Sequence, residues 1–404
     1  MPALAVAPSR QPAPAHSPAL NSFRLTNGSA QVFARAQDLN ASLWKETFGD
    51  QVKDFAYYQL LERTMSTGFS YRYLVLHLPN EKPFALQPLI LVDQDLAISL
   101  GRKVRGLVER LRRAFPRLLR SRVLMAGCLV GEGHFGMVKG LNRRMALGML
   151  AEALERYAER ERISLIVFKD FPALKRSEMQ PLLSAGFSRL DGFPPLKLEL
   201  DFASFDQYLG QRLSRVTRKG LRRKFRRVAA ATPPITLEVR ADCSDLIDQI
   251  YPLYLAVAER GPVVFEVFTR EYFLGLSLTM PERCRFFLWR RGEKVVAFSL
   301  CFLCGNTIYD QDLGLDYSVA QTFSLYYLTF RDIVTWALHN GYRYYRTAPF
   351  NYDPKMHLRL VFEPVDLFVR QRTALLNFLL SRLGPFLAPA KSDPVLRRHY
   401  QATR

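Results

Sequence analysis

The sequence predicts an α/β (α+β) chain of two similar modules in tandem, each a mixed central sheet flanked by helices. Three observations predict it. Short apolar runs of strand length alternate with amphipathic stretches of helical period along the chain. The chain has 404 residues, and single cores seldom outgrow about 250–300. The later half also repeats the layout of the earlier one. LERYAERER runs into ISLIVFKDFP, and IVTWALHNG runs into YRYYRTAPF; each strand stops at a Pro-aromatic corner, Phe171-Pro172 and Pro349-Phe350. PFALQPLILV and VVAFSLCFLC hold matching places upstream. A spacing of about 180 residues suits a duplicated domain better than a solenoid.

Residues 1–22 are rich in Pro and Ala and predict a disordered tail. The first module, 23–202, opens with a strand at 31–36 and helices at 38–48 and 55–65. Strands follow at 71–78 and 83–92, then a basic helical segment at 101–120 broken by Pro116, and an apolar strand at 121–130. A glycine-rich turn at 131–140 leads to a long helix at 142–161, a buried strand at 163–169, a short helix at 178–185 and a strand at 195–200. The second module, 203–384, opens with a basic helix at 205–230. A strand at 235–240, helices at 244–258 and 272–278, and strands at 285–290, 294–303 and 307–315 come next. A long helix at 321–340, a strand at 342–347, a short helix at 355–361, a strand at 365–371 and a helix from Thr373 complete it, before a tail at 385–404.

The net charge of +20 favours anionic partners: coenzyme phosphates, tRNA or an acidic membrane face. The run Arg212 to Arg227 holds nine Arg and Lys and no acid, with Arg212, Arg215, Lys219, Arg222, Arg223 and Arg226 the main candidates for an anionic surface. A second basic segment, Arg102 to Arg122, has only Glu109 against it. No stretch reaches the ~18–20 apolar residues of a membrane span, and no signal-type apolar segment starts the chain. The expectation is a cytoplasmic protein, with a place at the inner membrane face left open. Five cysteines are odd in number and predict reduced thiols. Cys301 and Cys304 lie three apart on one strand, so they face opposite ways and predict no metal site. No HExxH, Walker loop or Ser-His-Asp order is present.

The order strand, strand, strand, long helix, strand, short helix, strand resembles the core of the GNAT acetyltransferases. Two such cores in tandem resemble the Fem-type peptidoglycan aminoacyltransferases and the BioF2-like acetyltransferase family. LSRVTRKGLRRKFRRV resembles the basic helix that opens the acyltransferase domain there, and LGLDYSVAQTFSLYYLTFRDIVTWALHNGYRYYRTAPFNYDPKMHL resembles its later part, with Lys355 near the site. The resemblance implies transfer of an acyl group to an amine, in cell-envelope or secondary metabolism. The donor is acyl-CoA, acetyl-CoA or longer, in one branch and aminoacyl-tRNA in the other. A degenerate pair that binds an anionic surface without catalysis is the further alternative.

In that family a loop of the type Gln/Arg-x-x-Gly-x-Gly/Ala at a helix start binds the donor's phosphates. Arg143, Ala146 and Gly148 match it in the first half; in the second, Gln321 fits and Ser324 stands where glycine is missing. Lys355 is a further candidate for donor phosphate. Proton transfer to and from the reacting groups calls for carboxylates or tyrosines on central strands. Asp310 and Asp312 are predicted on one face of a middle strand, and Tyr352 follows the last core strand as a general acid. Gly131-Glu132-Gly133-His134-Phe135-Gly136 fits G-x-G-x-x-G but lies too far from its helix for a dinucleotide site, and predicts a flexible loop lining the cleft.

Overall fold

The computed structural model describes residues 18–95, 102–116, 120–261, 266–384 and 388–402. Residues 1–17 of the predicted N-terminal tail, 117–119 of the second basic segment and 385–387 of the predicted C-terminal tail lie outside them. Residues 403–404 of that C-terminal segment lie outside them as well, and the described part forms two helices, Pro389–Ser392 and Pro394–Ala402.

The strands, in chain order, are β1 (Asn21–Leu25), β2 (Gly28–Phe33), β3 (Phe69–His77), β4 (Pro83–Asp95), β5 (Arg120–Ala126), β6 (Gly136–Met137), β7 (Leu165–Pro172) and β8 (Ser188–Asp191). They continue as β9 (Leu196–Glu199), β10 (Ile235–Arg240), β11 (Cys284–Arg291), β12 (Lys294–Cys304), β13 (Thr307–Leu315), β14 (Tyr344–Thr347), β15 (Val361–Phe362) and β16 (Val365–Gln371). They build two mixed sheets. The first runs β1-β2-β3-β4-β5-β7-β16-β8, with β6 paired to β4; the second runs β10-β11-β12-β13-β14-β9-β15. The parallel pairs, β5 with β7 and β13 with β14, hold equivalent places in the two sheets.

Each half lends one strand to the other's sheet. β9, from the first half, lies between β14 and β15, and β16, from the second, lies between β7 and β8. The sheets therefore do not follow a simple cut at 202/203. Both loans are antiparallel and each sits beside the parallel strand, so the exchange obeys the same symmetry as the duplicated layout.

One apolar core joins the halves: Tyr57, Tyr58 and Val123 pack in the same cluster as Tyr272, Phe286 and Phe298. A second core lies on the opposite face of the second sheet and holds the helix Leu325–His339. A third lies under the first-half helix Arg143–Arg160.

Two long predicted helices are each broken by a serine. The basic helix divides into Phe205–Arg212 and Arg215–Ala229, because Ser214 is extended and its side chain accepts the Thr217 amide, capping a new start. The later one divides into Tyr317–Phe323 and Leu325–His339 at Ser324, which is left-handed at φ 51°.

Candidate active site

β13 and β14 run parallel for four residue pairs, Thr307↔Tyr344 to Asp310↔Thr347. β13 then continues to Leu315, while the chain after Thr347 turns through Phe350 and Asn351, both left-handed, into the helix Tyr352–His357. The second sheet is thus forked along Gln311–Leu315.

A bulge sits at the mouth of the fork. Across β12, Leu300 opposes Asp312 but Cys301 opposes Asp310, so Gln311 is an extra residue. Leu300 belongs to the core joining the halves and Cys301 to the opposite core. The prediction that Asp310 and Asp312 share a face is therefore corrected: the inserted residue turns them to opposite sides of the sheet.

Asp310 faces the side that holds the helix Leu325–His339. Its carboxylate accepts hydrogen bonds from the Ser299 hydroxyl and, at 2.6 Å, from the Tyr345 hydroxyl. Burial raises its pKa, and those two bonds together with Lys355 pull it back. Lys355 is buried, donates to the Ala348 carbonyl at 2.6 Å, and has its pKa lowered by burial to about 8, against the pull of Asp310. The expectation that it meets donor phosphate is corrected to a buried place on the helix Tyr352–His357, where it holds the turn after β14 and feels the charge of Asp310. Tyr352 is not brought to this group. It packs against Phe362, and its buried hydroxyl has no partner among the described residues.

Asp312 faces the joint between the halves. Its Oδ2 is buried without a hydrogen-bond partner among the described residues. Burial lifts its pKa to about 8, with Glu266 and Asp310 adding to the rise. Glu266 is itself lifted to about 7, first by burial, with Asp170 adding and Lys169 and Lys53 opposing. Lys169 and Asp170, from β7 of the first half, are ion-paired at 2.6 Å. Both halves thus supply charge around Glu266, the acid that acts on Asp312. The sequence reading missed Glu266, although a lone acid in the apolar run VVFEVF is a visible signal.

The glycine-rich loop is part of this joint. Glu132 forms an ion pair with Arg346 on β14; Arg346 also binds Glu363 at 2.5 Å and lies over the Tyr309 ring. His134 meets the Tyr58 hydroxyl at 2.7 Å, and burial lowers its pKa to about 3, which leaves it neutral. A Cβ at Gly133 would strike the Lys169 carbonyl, and one at Gly136 the Phe48 ring. The loop packs at the joint between the halves, and this close packing corrects the expectation of flexibility.

The two equivalent helix starts differ. In the first half, the Asn142 side chain accepts the amides of Arg144 and Met145, Arg143 pairs with Glu178 at 2.7 Å, and Ala146 is fully buried. Gly148 lies within the same helix with only Pro181 near it. Side chains already occupy this anion site, so the expectation for Arg143, Ala146 and Gly148 is not supported by the geometry.

In the second half no side chain caps Leu325–His339. The Ser324 hydroxyl meets Lys224 Nζ at 3.4 Å, Arg227 donates to the Thr322 carbonyl at 3.3 Å, and Gln321 is exposed beside them. The basic helix Arg215–Ala229 thus overhangs a helix start that no side chain caps. Its other face, with Phe205 and Arg331, borders a groove of about 1110 Å³ into which Arg215, Arg218, Lys219, Arg222 and Arg226 project. Arg212 is drawn off to Asp201 at 2.8 Å.

Among the described residues no cluster of His, Cys, Asp and Glu could hold a metal ion, and the five cysteines are unpaired thiols.

These features are those of a tandem GNAT-type fold. Residues 215–353 match the family model described as an acetyltransferase (GNAT) domain. The crystal structure of FemX is similar over 90% of this chain and 100% of that one, at 12% identity and a TM-score of 0.53. L-PGS from Bacillus licheniformis is similar over 80% of this chain and 94% of that one, at 11% identity and a TM-score of 0.48. A tandem GNAT protein from the clavulanic acid biosynthesis pathway is similar over 78% and 87%, at 9% identity and a TM-score of 0.46. No curated protein sequence matches the chain. The second half thus matches a GNAT domain model over residues 215–353, within a two-sheet fold similar to that of FemX.

Proposed function

We propose that the chain is an N-acyltransferase whose second half holds the donor and whose inter-half joint holds the amine acceptor. The bulge at the fork carries this reading, because it gives the two faces of one opening different chemistry. On the helix side, the uncapped start of Leu325–His339, with Lys224, Arg227, Gln321 and Ser324 around it, receives the phosphates of acyl-CoA. The acyl end passes through the fork. On the other side, the acceptor amine meets Asp312.

The Asp312 carboxylate takes a proton from the attacking nitrogen, whose lone pair forms the new bond to the acyl carbon. The bond from that carbon to sulfur breaks, and the same carboxyl returns its proton to the departing thiolate. A carboxylate whose Oδ2 has no hydrogen-bond partner among the described residues, and whose pKa is near 8, suits that exchange at neutral pH. Asp310, Tyr345 and Lys355 hold the other side of the fork in place.

The groove along Arg215–Ala229 favours a second reading, an aminoacyl-tRNA donor whose backbone follows the arginines while its ester enters the same fork. The leaving atom is then a ribose oxygen. Thermal-shift titration with acetyl-CoA, longer acyl-CoAs and uncharged tRNA tests both. A shift with CoA esters, lost in Lys224→Glu/Arg227→Glu, supports the first. A salt-sensitive shift with tRNA alone, lost in Arg218→Glu/Arg222→Glu, supports the second. No shift with either defeats both.

A further inference from the structure

The helix Ala374–Leu383 is turned inside out. Its asparagine faces the protein: Asn377 Nδ2 donates to the Gly186 carbonyl at 3.0 Å, and its Oδ1 accepts the Gln371 amide at 2.9 Å. Leu380 packs on the core, and Gly384 closes against Leu190. What remains for solvent is Leu375, Leu376, Phe378, Leu379 and Leu383, with Leu375 66% and Phe378 54% exposed. A helix held rigidly by its polar side, with five large apolar side chains outward, is a surface waiting for a partner.

Its surroundings indicate which partner. Arg372 and Arg382 are exposed at its two ends, and Arg382 lies over the Phe378 ring at 5.2 Å. The helix leaves the first sheet where β4 and β5 also meet their connecting segment. The Arg372 amide bonds the Ser164 carbonyl at 2.9 Å, Ser164 touches Ser121 of β5 at 2.5 Å, and Asp95, ending β4, is held by Arg112 at 2.6 Å. The helix Arg102–Leu111 and its continuation therefore leave from the same end of the sheet. They expose Leu111 and Phe115 (65%), next to the exposed Arg113 and Arg120.

We propose that this end of the first sheet seats on an anionic lipid bilayer, with its leucines and phenylalanines entering the headgroup boundary and its arginines meeting lipid phosphates. A second copy of the chain is a poorer fit. A two-fold contact sets a patch against itself, so arginine would meet arginine in a chain already at +20. At ten residues the helix is about 15 Å long and lies on a bilayer; among the described residues no helix is long and apolar enough to cross one. The surface lies on the first sheet, apart from the fork in the second, so the proposal stands whether or not the transferase reading does.

Sedimentation of the full chain with phosphatidylcholine vesicles, and with vesicles that also contain phosphatidylglycerol, tests it. Binding is expected only to the anionic vesicles. Leu375→Gln/Phe378→Gln, at exposed positions, is expected to weaken it at least about tenfold, since each side chain loses a large part of its burial in the boundary. Arg372→Glu/Arg382→Glu is expected to weaken it similarly, and added salt is expected to weaken the wild type. Arg222→Glu/Arg226→Glu, on the basic helix, is expected to leave most binding intact. The proposal is overturned if the Leu375/Phe378 variant binds as wild type, or if the Arg222/Arg226 variant alone abolishes binding. It is also overturned if the wild type is a dimer in solution that this Leu375/Phe378 variant dissolves into monomers.

Discussion

Arg143–Arg160 and Leu325–His339 begin at equivalent places in the two halves, and they begin in opposite ways. The first start has an asparagine cap, a paired arginine and a buried alanine. The second has a left-handed serine, no side-chain cap and two cations from another helix leaning over it. One fold thus presents the same backbone dipole twice. Only the second copy leaves it without a side-chain cap, while the first satisfies it with Asn142. A duplicated domain can keep its architecture in both copies and its chemistry in one, and the cap residue is where that division shows.

The largest test of this asymmetry is at the fork. Asp312→Asn is expected to lower the rate constant of acyl transfer about 100-fold or more with donor affinity unchanged, read by steady-state kinetics. In the wild type the rate is expected to rise with pH and level off above about 8, as Asp312 loses its proton. Its stability should move the other way. The native pKa lies above the unfolded value of about 4, so folding holds the proton, and stability falls as pH rises between the two. The Asn variant is expected to escape that fall and to melt at a higher temperature than wild type at pH 8.

The next test compares the helix starts. Lys224→Glu/Arg227→Glu is expected to weaken donor binding about 10- to 100-fold by calorimetry, because two charges reverse at one phosphate site. Arg143→Glu should leave it within about twofold. An equal loss in Arg143→Glu would return the donor to the first half and undo the comparison.

The smallest effects are on stability alone. Asn142→Ala removes a cap and is expected to cost about 1 kcal/mol by denaturant melting without touching donor affinity. Ser324→Gly, at φ 51°, is expected to be neutral or to stabilise by up to about 1 kcal/mol.

The strands and long helices were legible because burial writes a local pattern: β11 to β13 read as three apolar runs parted by Arg-Gly and Gly-Asn turns. The candidate site was half legible. Asp310 and Asp312 stood out as acids on an apolar strand, but their separation depends on which residue of β12 opposes Gln311, and register is not written locally. Likewise Arg143 was visible, while Glu178, its partner, lies on another element. Ser214 is a cap residue inside a continuous basic, amphipathic run, so the break it makes is masked by the pattern on either side. The loan of β9 and β16 had no signal, since four- and seven-residue apolar strands read the same whichever sheet they join.

That loan sets the order in which the molecule can be finished. The first sheet pairs Phe168 with Phe368, so the gap between β7 and β8 stays open until the second half has been made as far as β16. An unfilled slot flanked by unpaired strand edges invites mispairing with other nascent chains, and contacts so distant in sequence form slowly. The N-terminal half is therefore a poor candidate for expression alone, and the full chain is one for which a holding chaperone during synthesis should raise the soluble yield.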